Sequence, residues 1–206
     1  MKFALITEGV SEHRIIKHIV AKYFRDHDPE INQIQPKIVN DRQEVIGGWN
    51  EVLKYCEREE LKDILVENDY LIIQIDTDQS QTNPFNVSHS KNNGQAKTAE
   101  ELFQDVLAKL NGLIKKEIKQ NFGDKIFFAI CIHTIECWLL PLYYTDNHKS
   151  AIRSCLSTLN TKLRKQNIRT IPKGNKNSAQ SIRTYETILQ NWKRKNDIID
   201  SAQHNV

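Results

Sequence analysis

The 206-residue chain is 39% hydrophobic and 27% charged, the composition of an ordinary folded protein with room for a substantial core. No apolar run approaches the roughly 20 residues that a bilayer span requires, and Met1-Lys2 leads into a short strand-like run rather than a secretory signal. Four cysteines, Cys56, Cys131, Cys137 and Cys155, form no CxxC pair, which argues against a zinc site and for reduced thiols in a cytoplasmic protein.

The first 140 residues alternate between strand and helix patterns. Residues 3–7 read as a strand, and Ser11 is placed to cap a helix over about 12–26, where Ile15, Ile16, Ile19, Val20 and Tyr23 recur at helical spacing. Ile34 to Val39 is a weaker second strand. A helix from Glu44 to about Leu65 is broken near Gly47-Gly48 and carries Trp49, Val52, Leu53 and Cys56 on one face. Tyr70-Leu71-Ile72-Ile73-Gln74-Ile75 is a buried third strand. Residues 79–97 follow as a polar loop almost free of core residues, and a loop that long in a compact domain is usually functional or disordered. Leu102, Val106, Leu110, Leu113 and Ile114 mark a long helix that Gly123 ends. Lys125 to His133 is the fourth strand, and Thr134 is placed to cap the helix that follows. Continuous apolar strands between helices indicate an α/β fold, a mostly parallel four-stranded sheet covered on both faces.

Residues 141–206 differ from this body. They carry 12 Lys/Arg against 4 Asp/Glu, a balance of +8, whereas residues 1–140 carry a balance of −5. A mainly helical, basic C-terminal extension packed on an acidic domain of residues 1–140 suits a polyanion at one part and a metal at the other. Pro172-Lys173-Gly174-Asn175-Lys176-Asn177 is a basic breaker loop, and a last helix over about 179–196 buries Ile182, Tyr185, Ile188, Leu189 and Trp192. Lys173, Lys176 and Arg183 are the candidate phosphate contacts for nucleic acid. Lys193-Arg194-Lys195 suits a solvated helix end.

The chemistry lies where strands end. The third strand runs into Asp76-Thr77-Asp78, and the first into Glu8-Gly9. Ligands of open parallel sheets sit outside the carboxyl ends of the strands. Carboxylates gathered there suit a hard divalent cation such as Mg²⁺ or Mn²⁺. Asp76 and Asp78 alternate across an extended strand, so both reach one cation only if a turn begins at Thr77. Gly9 permits a sharp bend and close approach of a phosphate. Glu12 and Glu136 open helices, where each either complements the helix dipole or joins the acidic site. His133 is a strand-end residue that could also contact a phosphate.

Glu8-Gly9 after the first strand and Asp76-Thr77-Asp78 after a later one resemble the Toprim family, the metal-binding domains of topoisomerases, bacterial primases and small OLD-like nucleases of phage defence. Glu8-Gly9-Val10-Ser11-Glu12 is most similar to the small defence-associated branch. So is Ile132-His133-Thr134-Ile135-Glu136-Cys137-Trp138-Leu139-Leu140, which resembles that branch's Glu-x-Trp helix. The resemblance covers residues 3–140. It implies a Toprim-like (Rossmannoid) fold and phosphodiester cleavage of DNA or RNA with Mg²⁺ or Mn²⁺. Asp76 and Asp78 would hold the metal, and Glu8 would be a ligand or a general acid/base. Glu12 would help to hold a second ion, and Glu136 would join it, so the catalytic set is Glu8, Glu12, Asp76, Asp78 and Glu136. A noncatalytic Toprim-like subunit working with an ATPase partner, a receiver-like signalling domain and, more distantly, a DxD sugar transferase are the competing readings. None of them calls for a membrane.

Overall fold

The computed structural model describes residues 1–36, 38–39, 42–43, 47–193 and 195–202, with residues 38–39, 42–43 and 200–202 described by backbone alone. Strands β1 (Lys2–Ile6), β2 (Glu30–Gln35), β5 (Tyr70–Asp76) and β6 (Ile126–Cys131) form one sheet in the order β2-β1-β5-β6. All three pairings are parallel. The short strands β3 (Ile38–Val39) and β4 (Arg42–Gln43) pair antiparallel as a separate hairpin. The expected second strand therefore belongs earlier in the chain, at residues 30–35, and only its last part overlaps the expected span.

Side-chain alternation along β1 builds two cores. Phe3 and Leu5 pack with helix α1 (Val10–Tyr23), the 3-10 helix Ile135–Leu142 and helices α6 (Cys155–Lys165), α7 (Ala179–Leu189) and α8 (Lys195–Ala202). Ala4 and Ile6 face the opposite side, toward α2 (Trp49–Glu57), α3 (Leu61–Glu67), α4 (Ala99–Leu113) and α5 (Lys116–Phe122). Both faces are covered, which is why β1, β5 and β6 are largely apolar, whereas the edge strand β2 is mostly polar. The C-terminal residues are thus more than an extension. Cys155, Leu159, Leu163, Tyr185, Ile188 and Trp192 supply much of the core on one face of the sheet.

Several local expectations are corrected. The helix expected from Glu44 begins at Trp49, after Gly48, and breaks between Glu57 and Leu61; residues 44–46 lie outside the described part. The helix after the fourth strand is a 3-10 helix containing Pro141, and Thr134 precedes it without a capping side-chain bond. The last helix is two, α7 and α8, and Arg194 between them lies outside the described part. Ser11 does not cap α1. It lies inside the first turn, Gly9 is the N-cap residue, and the Ser11 N–H donates to Asn177 Oδ1 at 3.0 Å. A side chain from a distant loop thus satisfies an amide that the helix leaves open.

The 79–97 loop is folded back on the body. Phe85 is fully buried in the α2–α5 core, with its ring 5.9 Å from that of Trp49. The Ser80 hydroxyl donates to Val87 O, and Ser90 and Ala96 form an isolated bridge. Phe85→Ala should cost about 3–5 kcal/mol, the usual range for truncating a buried phenylalanine. Urea melts measure this; a loss below about 1 kcal/mol would show that the loop is not part of the core.

Cys137 and Cys155 are joined by a disulfide, with Cα atoms 4.9 Å apart, while Cys56 and Cys131 are free and buried. The expectation of four reduced thiols fails for the first pair. Packing of the 3-10 helix against α6 brings these two together, and no sequence spacing announces it. Among the described residues, no helix is long and apolar enough to cross a membrane.

Candidate functional site

Strand order places the site. The chain leaves β1 for β2 on one side and later returns to β5 on the other, so the crossover direction reverses between β1 and β5. Such a switch point leaves a crevice at the carboxyl ends of the two strands. Glu8 stands just beyond β1 and Asp76 ends β5. Leu71, Ile73 and Ile75 face the α2–α5 core. Alternation therefore turns Gln74 and Asp76 toward the side of α1 and the 3-10 helix.

Four carboxylates meet there. Glu8 Oε1 accepts the Asp76 N–H at 2.6 Å, and the Glu8 N–H donates to Gln74 Oε1 at 3.2 Å. Asp76 Oδ1 accepts from Gln74 Nε2 at 3.0 Å and from the Ile135 N–H at 3.1 Å. Glu12, in the first turn of α1, accepts from the Ser11 hydroxyl at 2.8 Å. Glu136 accepts the Tyr185 hydroxyl at 2.5 Å, and its second oxygen, Oε2, is buried without a hydrogen-bond partner. Glu136, Asp76 and Glu12 are only 0, 4 and 5% exposed, far from the solvated helix-end acids that the sequence alone allows.

Lys176 is inserted among these acids. Its Nζ lies 2.9 Å from Glu136 Oε1, 3.7 Å from Glu12 Oε1 and 3.9 Å from Asp76 Oδ2. Expected as a surface phosphate contact, it is turned inward instead. Lys173 and Arg183 do remain exposed.

Gly9 has an extended backbone (φ −151°) that any residue can adopt. Its requirement is space: a Cβ there would stand 2.6 Å from Glu12 Oε2 and 2.8 Å from Asn177 Nδ2.

Asp78 is exposed. Its N–H donates to His133 O at 3.0 Å, while the His133 N–H donates to Thr77 Oγ1 at 2.7 Å. The chain does turn at Thr77, which also donates to Cys131 O. His133 holds a left-handed backbone (φ 62°), and its ring stands 5.5 Å from that of His89. His89 comes from the 79–97 loop and is held by Thr77 O and Ser80 Oγ. The sequence marked that loop for its length and position but not this histidine. Gln74, Asn177 and Tyr185 also carried no sequence signal, because each reads as a strand, loop or core residue.

The electrostatics follow from four acids sharing one ammonium. Burial, then the Glu12 charge, pushes Glu8 up to about 8, against the pull of the Asp76 amide. Burial also raises Asp76 well above the usual carboxylate range, and the Glu8 and Glu12 charges add to it. Burial raises Glu12, with Lys176 opposing. Burial pulls Glu136 upward too, but the Lys176 charge, with the Tyr185 hydroxyl, overrides this and holds it low. Burial works against the Lys176 charge, yet the Glu136, Glu12 and Asp76 carboxylates raise it above the ordinary lysine value.

A pH dependence follows. Unfolded glutamate ionises near 4.5, whereas folded Glu8 does so at about 8. The folded state therefore binds more protons between these values, so the stability present below 4.5 is lost as pH rises through about 8. His13, lowered from 6.5 to about 4 mainly by burial, acts in the opposite sense but only below 6.5. Thermal melts in chelator should thus show Tm falling from about pH 6.5 to 8.5, with a much shallower fall in Glu8→Gln. An equal fall in both proteins would remove Glu8 as its source.

Among the described residues, no three His, Cys, Asp or Glu side chains are disposed to hold a metal ion as they stand. The donor set nevertheless fits a hard divalent cation. Its members are carboxylate oxygens, they are under-neutralised by a single lysine, and one buried oxygen of Glu136 lacks any partner. The fold and site together define an α/β protein with a parallel sheet and a buried acidic cluster at its switch point. No family model, no curated protein and no solved structure matches this chain.

Proposed function

We propose that the protein is a metal-dependent phosphodiesterase acting on nucleic acid, with Mg²⁺ or Mn²⁺ as cofactor. The observation that carries this reading is the convergence of Glu8, Glu12, Asp76 and Glu136, from the β1–α1 turn, α1, β5 and the 3-10 helix, at the sheet's switch point. Glu8, Asp76 and Asp78 would hold the ion, with Glu12 and Glu136 beside them. A divalent ion there supplies Lewis-acid polarisation of a phosphoryl oxygen and lowers the pKa of bound water. Asp76 is kept in place by Gln74 and the Ile135 amide, and Glu136 by Tyr185. Glu8 would act either as a ligand or, where it does not touch the ion, as a general acid/base, since burial raises its carboxyl to about 8 in the metal-free protein. Lys176 offsets negative charge at the inner wall. Phage defence, suggested by the Toprim resemblance, is the biological setting of this proposal.

The test is incubation of purified protein with single- and double-stranded DNA and RNA in Mg²⁺, Mn²⁺ or EDTA. Metal-dependent cleavage of at least one substrate is expected; none in any combination would reject the enzyme reading. The Lys176 ion pairs favour one alternative, a noncatalytic subunit whose acids form a structural network and which works with an ATPase partner. Loss of both cleavage and Mn²⁺ stabilisation would select it.

Exposed Lys173 and Arg183 remain the candidate nucleic-acid contacts. Replacing both by alanine should weaken binding and reduce the log–log salt slope by up to about two, roughly one per phosphate contact. Filter binding across a salt series measures this, and an unchanged slope would leave these charges as surface solvation.

A further inference from the structure

We propose that Lys176 stands in for one cation, so that the wild-type protein binds a single divalent ion on the Glu8–Asp76–Asp78 side. Loss of its ammonium would open a second ion position between Glu12 and Glu136. The inference rests on the metal-dependent reading and adds its stoichiometry.

Three observations carry it. First, the ammonium reaches carboxylates from three different elements: Glu136 in the 3-10 helix at 2.9 Å, Glu12 in α1 at 3.7 Å and Asp76 in β5 at 3.9 Å. That is the position from which a cation would bridge them. Like charges this close repel strongly in a buried site, so ammonium and metal exclude each other there.

Second, the lysine is held in place by its neighbours. Asn177 Oδ1 accepts the Ser11 N–H at 3.0 Å. Asn175 O accepts the Ser181 hydroxyl at 2.7 Å, and the Ser178 hydroxyl caps α7. A loop pinned on both sides of Lys176 delivers the ammonium inward as part of the fold.

Third, the acids divide. The ion pairs of Lys176 go to Glu12, Asp76 and Glu136, while Glu8 and Asp78 pair with it in no contact among the described residues. Glu8 Oε1 accepts the Asp76 N–H at 2.6 Å, and Asp78 is exposed. On the inner side, Glu136 Oε2 is a buried oxygen without a partner, available to a second ion once the ammonium is gone.

Calorimetric titration of the metal-free full chain with Mn²⁺ at constant pH tests this without reference to activity. Wild type should bind one ion, Lys176→Arg one, and Lys176→Met two. Glu8→Gln should weaken wild-type Mn²⁺ affinity at least about tenfold, whereas Glu136→Gln should leave it within about threefold. Two ions in wild type, or one in a folded Lys176→Met, would overturn the inference while leaving the metal reading intact. No binding to wild type would overturn the metal reading and the inference with it. Should Lys176→Met fail to fold, the wild-type count and the contrast between Glu8→Gln and Glu136→Gln decide; equal weakening by the two would overturn the proposal.

Discussion

Asp76→Asn should lower metal-dependent cleavage by about a hundred- to a thousandfold or more, while the metal-free protein melts at the same temperature or higher. The activity loss is of the size seen when one group stabilising transition-state charge is removed. The stability result is the more discriminating half. Asp76 is buried beside Glu8 and Glu12, and its charge is disfavoured by burial and by both of them. An amide keeps the oxygen that accepts from Gln74 and the Ile135 amide and removes the charge. Nuclease assays with and without Mn²⁺, paired with melts in chelator, decide. Cleavage within about fivefold of wild type would remove Asp76 from the machinery. Asp78→Asn separates burial from ligation: Asp78 is exposed, so its metal-free stability should not change, and any effect on cleavage reports contact with metal or substrate.

Lys176→Met should cost about 3–5 kcal/mol at pH 8 in chelator, the usual result of removing one partner from a buried charge pair. The loss comes from Glu136, Glu12 and Asp76, which are left without their counter-charge. It should shrink as pH falls and approach zero only below the ordinary glutamate value of 4.5, under which Lys176 holds Glu136, because only protonated acids no longer need the ammonium. Lysine titration contributes nothing to this trend, since burial among carboxylates keeps Lys176 charged beyond the ordinary lysine range. Mn²⁺ should restore stability with the logarithm of its concentration above Kd, as any ligand of the folded state alone does. Denaturant melts at pH 5 and 8, with and without Mn²⁺, measure all three effects. A loss independent of pH would mean that Lys176 acts through packing of its aliphatic stem.

Much of the architecture was legible because its signals are local. The runs Phe3–Ile6 and Tyr70–Ile75 are covered on both faces, so their residues are apolar apart from Gln74, and the helices between them repeat at helical spacing. Boundaries were less legible. Trp49 begins a helix because Gly48 takes a left-handed backbone (φ 109°) before it, while the chain upstream reads equally well as helix. Phe85 and Val87 sit in a stretch whose composition is that of solvent-exposed loop, and only a core with a vacancy at that point buries them.

By itself, the sequence determined that Glu8 and Asp76 stand at strand ends, because a strand's direction and its terminal residues are local properties. A parallel sheet then carries both to one edge. It also determined that the protein could build two cores, since the strands offer apolar side chains on both faces. Only the tertiary structure decided which acids are buried, that Asp78 is not one of them, and that Cys137 meets Cys155. It alone turned Lys176 inward. Lys176 stands 100 residues after Asp76 in the chain, in a basic loop whose local pattern is that of a solvated surface. Its partners come from α1, β5 and the 3-10 helix. A charge is drawn to whatever opposite charge the fold brings within a few ångströms, and that depends on position in space rather than order in the chain.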